Sequence, residues 1–472
     1  MKPTWTKRWC LIVLGACLSI GTSAQNSDDL YRVPLEEILK RIEDKFGIEI
    51  RHNEKQVAGK MLTYGYWRLR EDVESSLDNV LAPFDMVAVK ERESTYKLKD
   101  FEYHRWPMAE AWKRLHRIAS QYDDRSSWEH RKDTLRKALW EALQLHPLPL
   151  SPGTSPITTP RRYMKGYTVE NIAIEILPGL YVNGSIYRPS ESVGKIPLVL
   201  SPDGHWAGHR YREDAQLRCG SIARMGAIAI SYDLFAWGES LLQFKPEDHR
   251  RSLAHTLQTL AGIRMLDYVF NNLPEVDTSR IGISGGSGGG SHTTLMTALD
   301  DRITLCAPVV SLSSYHFGGC PCESGMPIHF VAGGTNNVEL AAMAAPRPQL
   351  LVSDGADWTA QMGMHDYPYL QKIYGYYQLP LLVEHVHLPD EGHDFGISKR
   401  RALYAFLVKH FQLDTDGIGF RDGWPDEAEI TIEPEEALRV FGDEGAQLPS
   451  NAIMGFEQLE NLFTELRKNI NP

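Results

Sequence analysis

"RIGISGGSGGGSHTTLMTAL", Arg280 to Leu299, is the stretch whose reading decides the fold. A short β-branched strand, Arg280 to Ser284, runs into Gly285-Gly286-Ser287-Gly288-Gly289, a G-x-S-x-G. A helix-like run follows. Strand, tight turn and helix in that order form the frame of a nucleophile elbow. The glycines have a physical reason: the serine of such a turn is strained, and its neighbours must be small for strand and helix to approach closely. Its hydroxyl then stands above the sheet at a helix N-terminus, where free N–H groups and the dipole favour developing negative charge. Ser284 also fits by letter, as Gly282-Ile283-Ser284-Gly285-Gly286, but it falls inside the strand, before any turn exposes it. Ser291 lies inside the helix and lacks the pattern. No Lys follows the glycines, which excludes a phosphate loop. Ser287 is therefore the candidate nucleophile.

Outward from this motif, strands and helices alternate from Tyr167 onward, the signature of a mostly parallel sheet flanked by helices. Val169 to Ile176 and Leu180 to Tyr187 read as an antiparallel pair around Pro178-Gly179. Pro197 to Ser201, Ala227 to Tyr232, Thr304 to Val310 and Gln349 to Ser353 are continuous apolar runs, as expected of strands buried on both faces. Leu381 to Leu388 is the last strand, and helices are expected around Leu257 to Phe270 and Ser398 to Phe411.

A serine hydroxyl is a poor nucleophile until a base takes its proton. His393, in Asp390-Glu391-Gly392-His393-Asp394, sits on a loop between the last strand and the C-terminal helix and is the candidate base. His385 and His387 alternate within the strand and read as structural, and His292 follows the elbow too closely to reach around. The base needs a carboxylate to hold its tautomer. "QLLVSDGADWT" places Asp354 and Asp357 just past a buried strand; Asp357, behind a Gly355 turn, is preferred and Asp354 is the alternative. The order Ser287, Asp357, His393 is that of α/β-hydrolases. An oxyanion hole needs backbone N–H donors. The N–H of His205 or Trp206, in the turn after Leu198 to Ser201, and that of Gly288 are the candidates.

The stretches "SPDGHWAG", "MGAIAISYDLFAWGES", "RIGISGGSGGGSHT", "GGCPCESGMPIHF", "TNNVELAAMAAPRPQLLVSDGADWT" and "PDEGHDFGISKRRALYAFL" resemble bacterial α/β-hydrolase carbohydrate esterases of the acetylxylan-esterase type. The resemblance covers residues from about 105 to 470. It implies an ester substrate on a plant polysaccharide or oligosaccharide; the patterning alone implies a serine hydrolase. Glucuronoyl methylesterases carry a Cys-Ser-Arg nucleophile context that is absent here, whereas pectin methylesterases of the same fold stay open. Trp206, Trp237 and Trp358 are candidates to stack on sugar faces, with plain core packing as the alternative. Two other functions compete. A peptidase of the prolyl-oligopeptidase kind shares the catalytic domain, but no blade-like repeat precedes it. A non-catalytic envelope protein is disfavoured by the intact Ser, Asp and His set.

At 472 residues the chain needs more than one compact unit. Residues 1–24 read as an export signal: Lys2, Lys7 and Arg8, then the apolar Cys10 to Ile20, then Thr22-Ser23-Ala24 as cleavage site before Gln25. Leu14-Gly15-Ala16-Cys17 leaves a lipoprotein alternative. The expected location is the periplasm or cell envelope. Residues 27–100 read as a small α+β domain, with Leu35, Ile38, Leu39, Ile42 and Phe46 at helical spacing and Gly47 as C-cap. Val33 to Leu39, the "GIEI" strand and "VESSLDNVLAPFDMVAV" resemble the secretin and TonB short N-terminal domain, which implies an envelope protein partner. Residues 103–160 form a helical arm and linker, and 161–472 the α/β-hydrolase domain with an acidic C-terminal extension. Glu433, Glu435, Glu436, Asp443 and Glu444 of that extension read as solvated surface.

The net charge of −11 argues against a nucleic-acid partner. Cys219, Cys306, Cys320 and Cys322 remain after signal removal. Cys320 and Cys322 are too close to pair with each other; a bridge from them to Cys219 or Cys306 and free buried thiols are both open. No metal site is expected, because Cys and His show no ligand spacing, and no cofactor is implied.

Overall fold

The computed structural model describes residues 32–470 apart from 82–83, 85, 101–103, 106, 252, 318–319, 321–322, 324–326, 414, 416–418 and 422–423. The export-signal reading, with Cys17, and Cys322 lie outside the described residues. Two compact units divide the chain, Met1–Phe101 and Glu102–Pro472.

In the first unit the helical spacing becomes the helix Leu35–Phe46, whose Leu35, Ile38, Leu39 and Ile42 are buried. Gly47 closes it in the left-handed region (φ 65°), where a missing Cβ costs nothing, and its N–H donates to the Glu43 carbonyl. A second helix, Val73–Leu81, and a three-stranded sheet of Glu49–Arg51, Thr95–Asp100 and Met86–Arg92 complete the core with Leu77, Val80, Tyr96 and Leu98.

The second unit is built on a ten-stranded sheet. Across it the strands run Val383–Leu388, Gln349–Asp354, Leu305–Val309, Val276–Gly286, Ile196–Pro202, Ile228–Tyr232, Leu180–Pro189, Tyr167–Leu177 and Ile157–Thr158, with Arg162–Met164 also paired to Tyr167–Leu177. The six from Val383–Leu388 to Ile228–Tyr232 are parallel neighbours, and Ile228–Tyr232 meets Leu180–Pro189 antiparallel. This is the α/β-hydrolase arrangement. The apolar runs are continuous because both faces are covered. Leu198, Leu200, Ile281 and Ile283 enter one core with the helices Arg125–Ala142, Ala254–Asn272 and Gly288–Leu299. Val199, Ala229, Ala307 and Val352 enter another with Glu213–Arg224 and Ile397–Phe411. The helices Met108–Ala119 and Arg125–Ala142 contribute Leu115, Ile118, Trp128, Leu135 and Leu139 to the first of these cores.

In the acidic extension Glu435, Glu436, Asp443 and Glu444 are exposed, as solvated surface would be, and Glu433 is the exception. Arg162 pairs Glu433 through two hydrogen bonds of 2.6 and 3.0 Å, and Glu433 is buried. Arg210, fully enclosed, bonds Asp233 at 3.1 Å and Glu239 at 3.0 Å. The other Glu239 oxygen accepts the backbone N–H groups of Val440 and Phe441, both at 2.7 Å. An isolated buried charge is costly, so each of these is paired. The run of acids conceals a segment that wraps the domain, and charge counting is blind to which acids have partners. Among the described residues no helix is long and apolar enough to cross a membrane.

Asp366 is fully buried and accepts the Ser314 N–H at 3.1 Å. Burial raises its pKa from the ordinary 3.8 to about 6. A carboxyl raised in the folded state contributes stability below its unfolded pKa, and that stability is lost as pH rises through about 6. The difference amounts to about 3 kcal/mol at most. Asp366→Asn is therefore expected to gain stability relative to the parent between pH 4 and pH 7 by up to that amount. Denaturant unfolding at both pH values checks this; equal gaps at both would refute it.

Candidate active site

The chain leaves the strand Val276–Gly286 and enters the helix Gly288–Leu299 through Ser287 alone. Ser287 has φ 53° and ψ −124°, a conformation that costs a non-glycine residue about 1–3 kcal/mol. Its N–H donates to the Val309 carbonyl at 3.0 Å, and its carbonyl accepts from Gly290 and Ser291. The turn is this tight because its neighbours lack side chains. A Cβ on Gly289 would lie 2.5 Å from the Pro202 carbonyl oxygen, and one on Gly288 2.2 Å from a carbon of the His205 ring. Ser284, the other letter match, is inside the strand and donates its hydroxyl to the Ala307 carbonyl at 2.8 Å.

Three predicted side chains meet at the C-terminal ends of the parallel strands. His393 Nε2 lies 3.0 Å from Ser287 Oγ, and His393 Nδ1 lies 2.7 Å from Asp357 Oδ2. The carboxylate can only accept, so Nδ1 carries the proton and Nε2 faces the serine as an acceptor. Burial pushes the Asp357 carboxyl up, but the bonds from His393 and from the Thr359 hydroxyl and N–H, both at 2.6 Å, outweigh it and hold the pKa below the usual value. Asp354 closes the strand rather than following it, and it points elsewhere: Oδ2 lies 3.3 Å from the buried Lys399 ammonium. Burial and the neighbouring Asp357 raise its pKa. Lys399 also bonds the Gly392 carbonyl and Asp394, the latter at 2.7 Å. The His393 loop is thereby pinned to its following helix, Ile397–Phe411.

Two indoles flank the His393 ring. Trp358 lies 4.5 Å away between centroids and Trp206 5.5 Å. Trp206 Nε1 donates to the His393 carbonyl at 3.3 Å. Trp237 sits one layer off, edge-on to His205 at 5.5 Å and to His209 at 5.1 Å. The turn holding His205 and Trp206 does reach the elbow: a Cβ on Gly204 would lie 2.6 Å from the Gly286 carbonyl oxygen. His292 is buried against the Tyr232 hydroxyl at 2.9 Å, and burial lowers its pKa to about 3. His385 and His387 share Ser353 Oγ at 2.7 and 2.8 Å. Cys219 and Cys306 are buried free thiols, and Cys320 Sγ faces His205 Nε2 at 3.9 Å.

Glu323 is a neighbour that sequence reasoning missed. Its Oε1 lies 3.1 Å from Ser287 Oγ, and its Oε2 lies 3.5 Å from His205 Nδ1. Nothing in "GGCPCESG" assigns it a role, because a loop acid carries no periodic signal and only the fold brings residue 323 to residue 287. His205 reads from sequence as a backbone donor only, yet its side chain packs on the elbow. Burial lowers the His205 pKa, and the Cys320 and Glu323 charges reverse this and hold it well above the ordinary value.

A sheet of this topology with an elbow serine on its rim defines an α/β-hydrolase, and the similarity that follows makes the chain a carboxylic-ester hydrolase. No family model matches the chain, and no curated protein does. Among solved structures it is similar to Methylesterase BT1017, 47% identical with a TM-score of 0.74, over 94% of this chain and 100% of that one. The chain belongs to the family of that methylesterase. It is more distantly similar to an acetyl xylan esterase from Paenibacillus sp. R4, 16% identical over 65% of this chain and all of that one, TM-score 0.40. A glucuronoyl esterase from Solibacter usitatus is 14% identical over 60% of this chain and 94% of that one, TM-score 0.40.

Gly289→Ala is expected to cost about 1–3 kcal/mol, because the Pro202 carbonyl has no free path away from the added methyl. Denaturant unfolding of the variant measures it; unchanged stability would mean that the elbow is not tight.

Proposed function

We propose that the chain is an exported serine esterase that removes methyl or acetyl groups from plant polysaccharides, with Ser287, His393 and Asp357 as its catalytic residues. The observation that carries this reading is the unbroken hydrogen-bond relay of 3.0 and 2.7 Å from Ser287 through His393 to Asp357. Methyl esters of uronic-acid units are the leading substrate, since the relative at 47% identity is named a methylesterase. The carbohydrate-esterase resemblance of the motif stretches supplies the polysaccharide.

In this mechanism Ser287 Oγ attacks the ester carbonyl as His393 Nε2 takes its proton. Asp357 holds the tautomer and stabilises the imidazolium. The N–H groups of Gly288 and of His205 or Trp206 receive the oxyanion at the helix N-terminus. His393 returns the proton to the leaving oxygen, which is methanol for a methyl ester and a sugar hydroxyl for an acetyl ester. Water then hydrolyses the acyl-enzyme by the same route. Trp206 and Trp358 are placed beside the base to bound the sugar site. Export rests on the basic, apolar and small-residue succession of residues 1–24. The secretin/TonB-like pattern of residues 27–100 points the N-terminal unit toward an envelope partner.

Methanol release from methyl-esterified uronan, acetate release from acetylated xylan and cleavage of dipeptidyl amides, run side by side, test the substrate class. Methanol release is expected to dominate; amide turnover without ester turnover would overturn the proposal. Ser287→Ala is expected to lower kcat by roughly 10⁶ and Asp357→Asn by roughly 10⁴. Asp354→Asn, which touches Lys399 and not the base, is expected to cost far less than Asp357→Asn. Equal losses in the two Asp variants would reassign the acid.

A further inference from the structure

His205, His249 and Cys320 come from three separate segments: the turn after Ile196–Pro202, the turn Pro246–Arg250, and the loop that follows Leu305–Val309. Their donor atoms all lie within 4.8 Å of one another. His205 Nε2 and His249 Nε2 face each other at 2.8 Å, and Cys320 Sγ stands 3.9 Å from His205 Nε2. His249 and Cys320 are buried, and His205 is nearly so.

The tautomers follow from the outer partners. His249 Nδ1 is bonded to the Phe235 carbonyl oxygen, which can only accept, so Nδ1 carries the hydrogen. His205 Nδ1 faces the Glu323 carboxylate at 3.5 Å, which likewise accepts. His249 then turns an Nε2 lone pair toward His205 Nε2, and His205 does the same once it gives up its Nε2 proton. Two lone pairs at that distance repel unless a cation stands between them. A shared proton would account for the two nitrogens. A metal ion would account for the converging sulfur as well.

We propose that His205 Nε2, His249 Nε2 and Cys320 Sγ bind a thiophilic divalent cation of the zinc class. Ordinary Zn–N and Zn–S bond lengths in a tetrahedron put the donors about 3.3 Å (N to N) and about 3.6 Å (N to S) apart. The observed 2.8 and 3.9 Å differ from these by about half an ångström or less, within the reach of small side-chain rotations. The outer groups also suit a metal: ligating imidazoles characteristically donate their second N–H to a carbonyl or carboxylate, as Phe235 and Glu323 offer here. Binding would release the Cys320 thiol proton and leave a thiolate ligand.

The ion has a positioning role in this arrangement. It ties the Cys320–Glu323 loop to the turn that carries His205, whose ring packs on Gly288 at the elbow. It also fixes Glu323, whose other oxygen touches Ser287 Oγ. No ester-cleaving step passes through it, so the site stands apart from the choice of substrate.

Elemental analysis of the purified full-length protein, prepared without chelator, is expected to give about one zinc-class ion per chain, as a single three-donor site requires. Cys320→Ser and His249→Gln are expected to lose it. Chelator-stripped protein titrated with Co²⁺ is expected to show a thiolate-to-cobalt charge-transfer band that Cys320→Ser abolishes, with folding of each variant followed by circular dichroism. Parent protein that neither retains metal nor develops the band would overturn the proposal in favour of a shared proton. A band that survives in folded Cys320→Ser would overturn it too. Should that variant fail to fold, the parent titration decides alone.

Discussion

The structure depends on one close approach: the elbow between Val276–Gly286 and Gly288–Leu299 pressed against the Pro202–His205 turn. The contact is backbone on backbone. Gly285 and Gly289 both face the Pro202 carbonyl at distances no Cβ tolerates. That proximity holds Ser287 in a conformation that an unconstrained chain would leave, and it presents the hydroxyl at the start of a helix. The strain is sustained by packing on both sides of the sheet, where the flanking strands are buried on both faces.

The second requirement is that a loop histidine meet this serine. His393 is on a connection, and connections are normally the mobile parts of a fold. Here Lys399 reaches back from the next helix to the Gly392 carbonyl, Asp394 and Asp354, while Trp206 and Trp358 enclose the ring. The two neighbouring acids thus divide the work: Asp357 orients the imidazole, and Asp354 balances the buried ammonium that anchors its loop. Their opposite pKa shifts follow from these partners, lowered for Asp357 and raised for Asp354.

Much of this was legible in the chain. The strand, glycine turn and helix around Ser287 are local features written in residue type, and the continuous apolar runs marked strands covered on both faces. The loops that leave such strands made Asp357 and His393 the candidate acid and base. Legibility stopped where acids and histidines act through partners distant in sequence. Glu433 reads as a surface charge until Arg162 is placed beside it, and Asp354 and Asp357 are equivalent until Lys399 claims one of them. His205 reads as a backbone donor until its ring is seen on Gly288.

The sequence by itself determined the sheet class, the elbow and the order of the candidate Ser, Asp and His, because periodicity and glycine placement are properties of neighbouring residues. The tertiary structure alone decided which acid faces His393, that Glu323 touches Ser287, and that His205, His249 and Cys320 share one point in space. Those are meetings between segments separated by tens to hundreds of residues, and no local pattern encodes them. Their cause is the parallel sheet, which delivers the ends of its strands, and the loops that follow them, to a single edge.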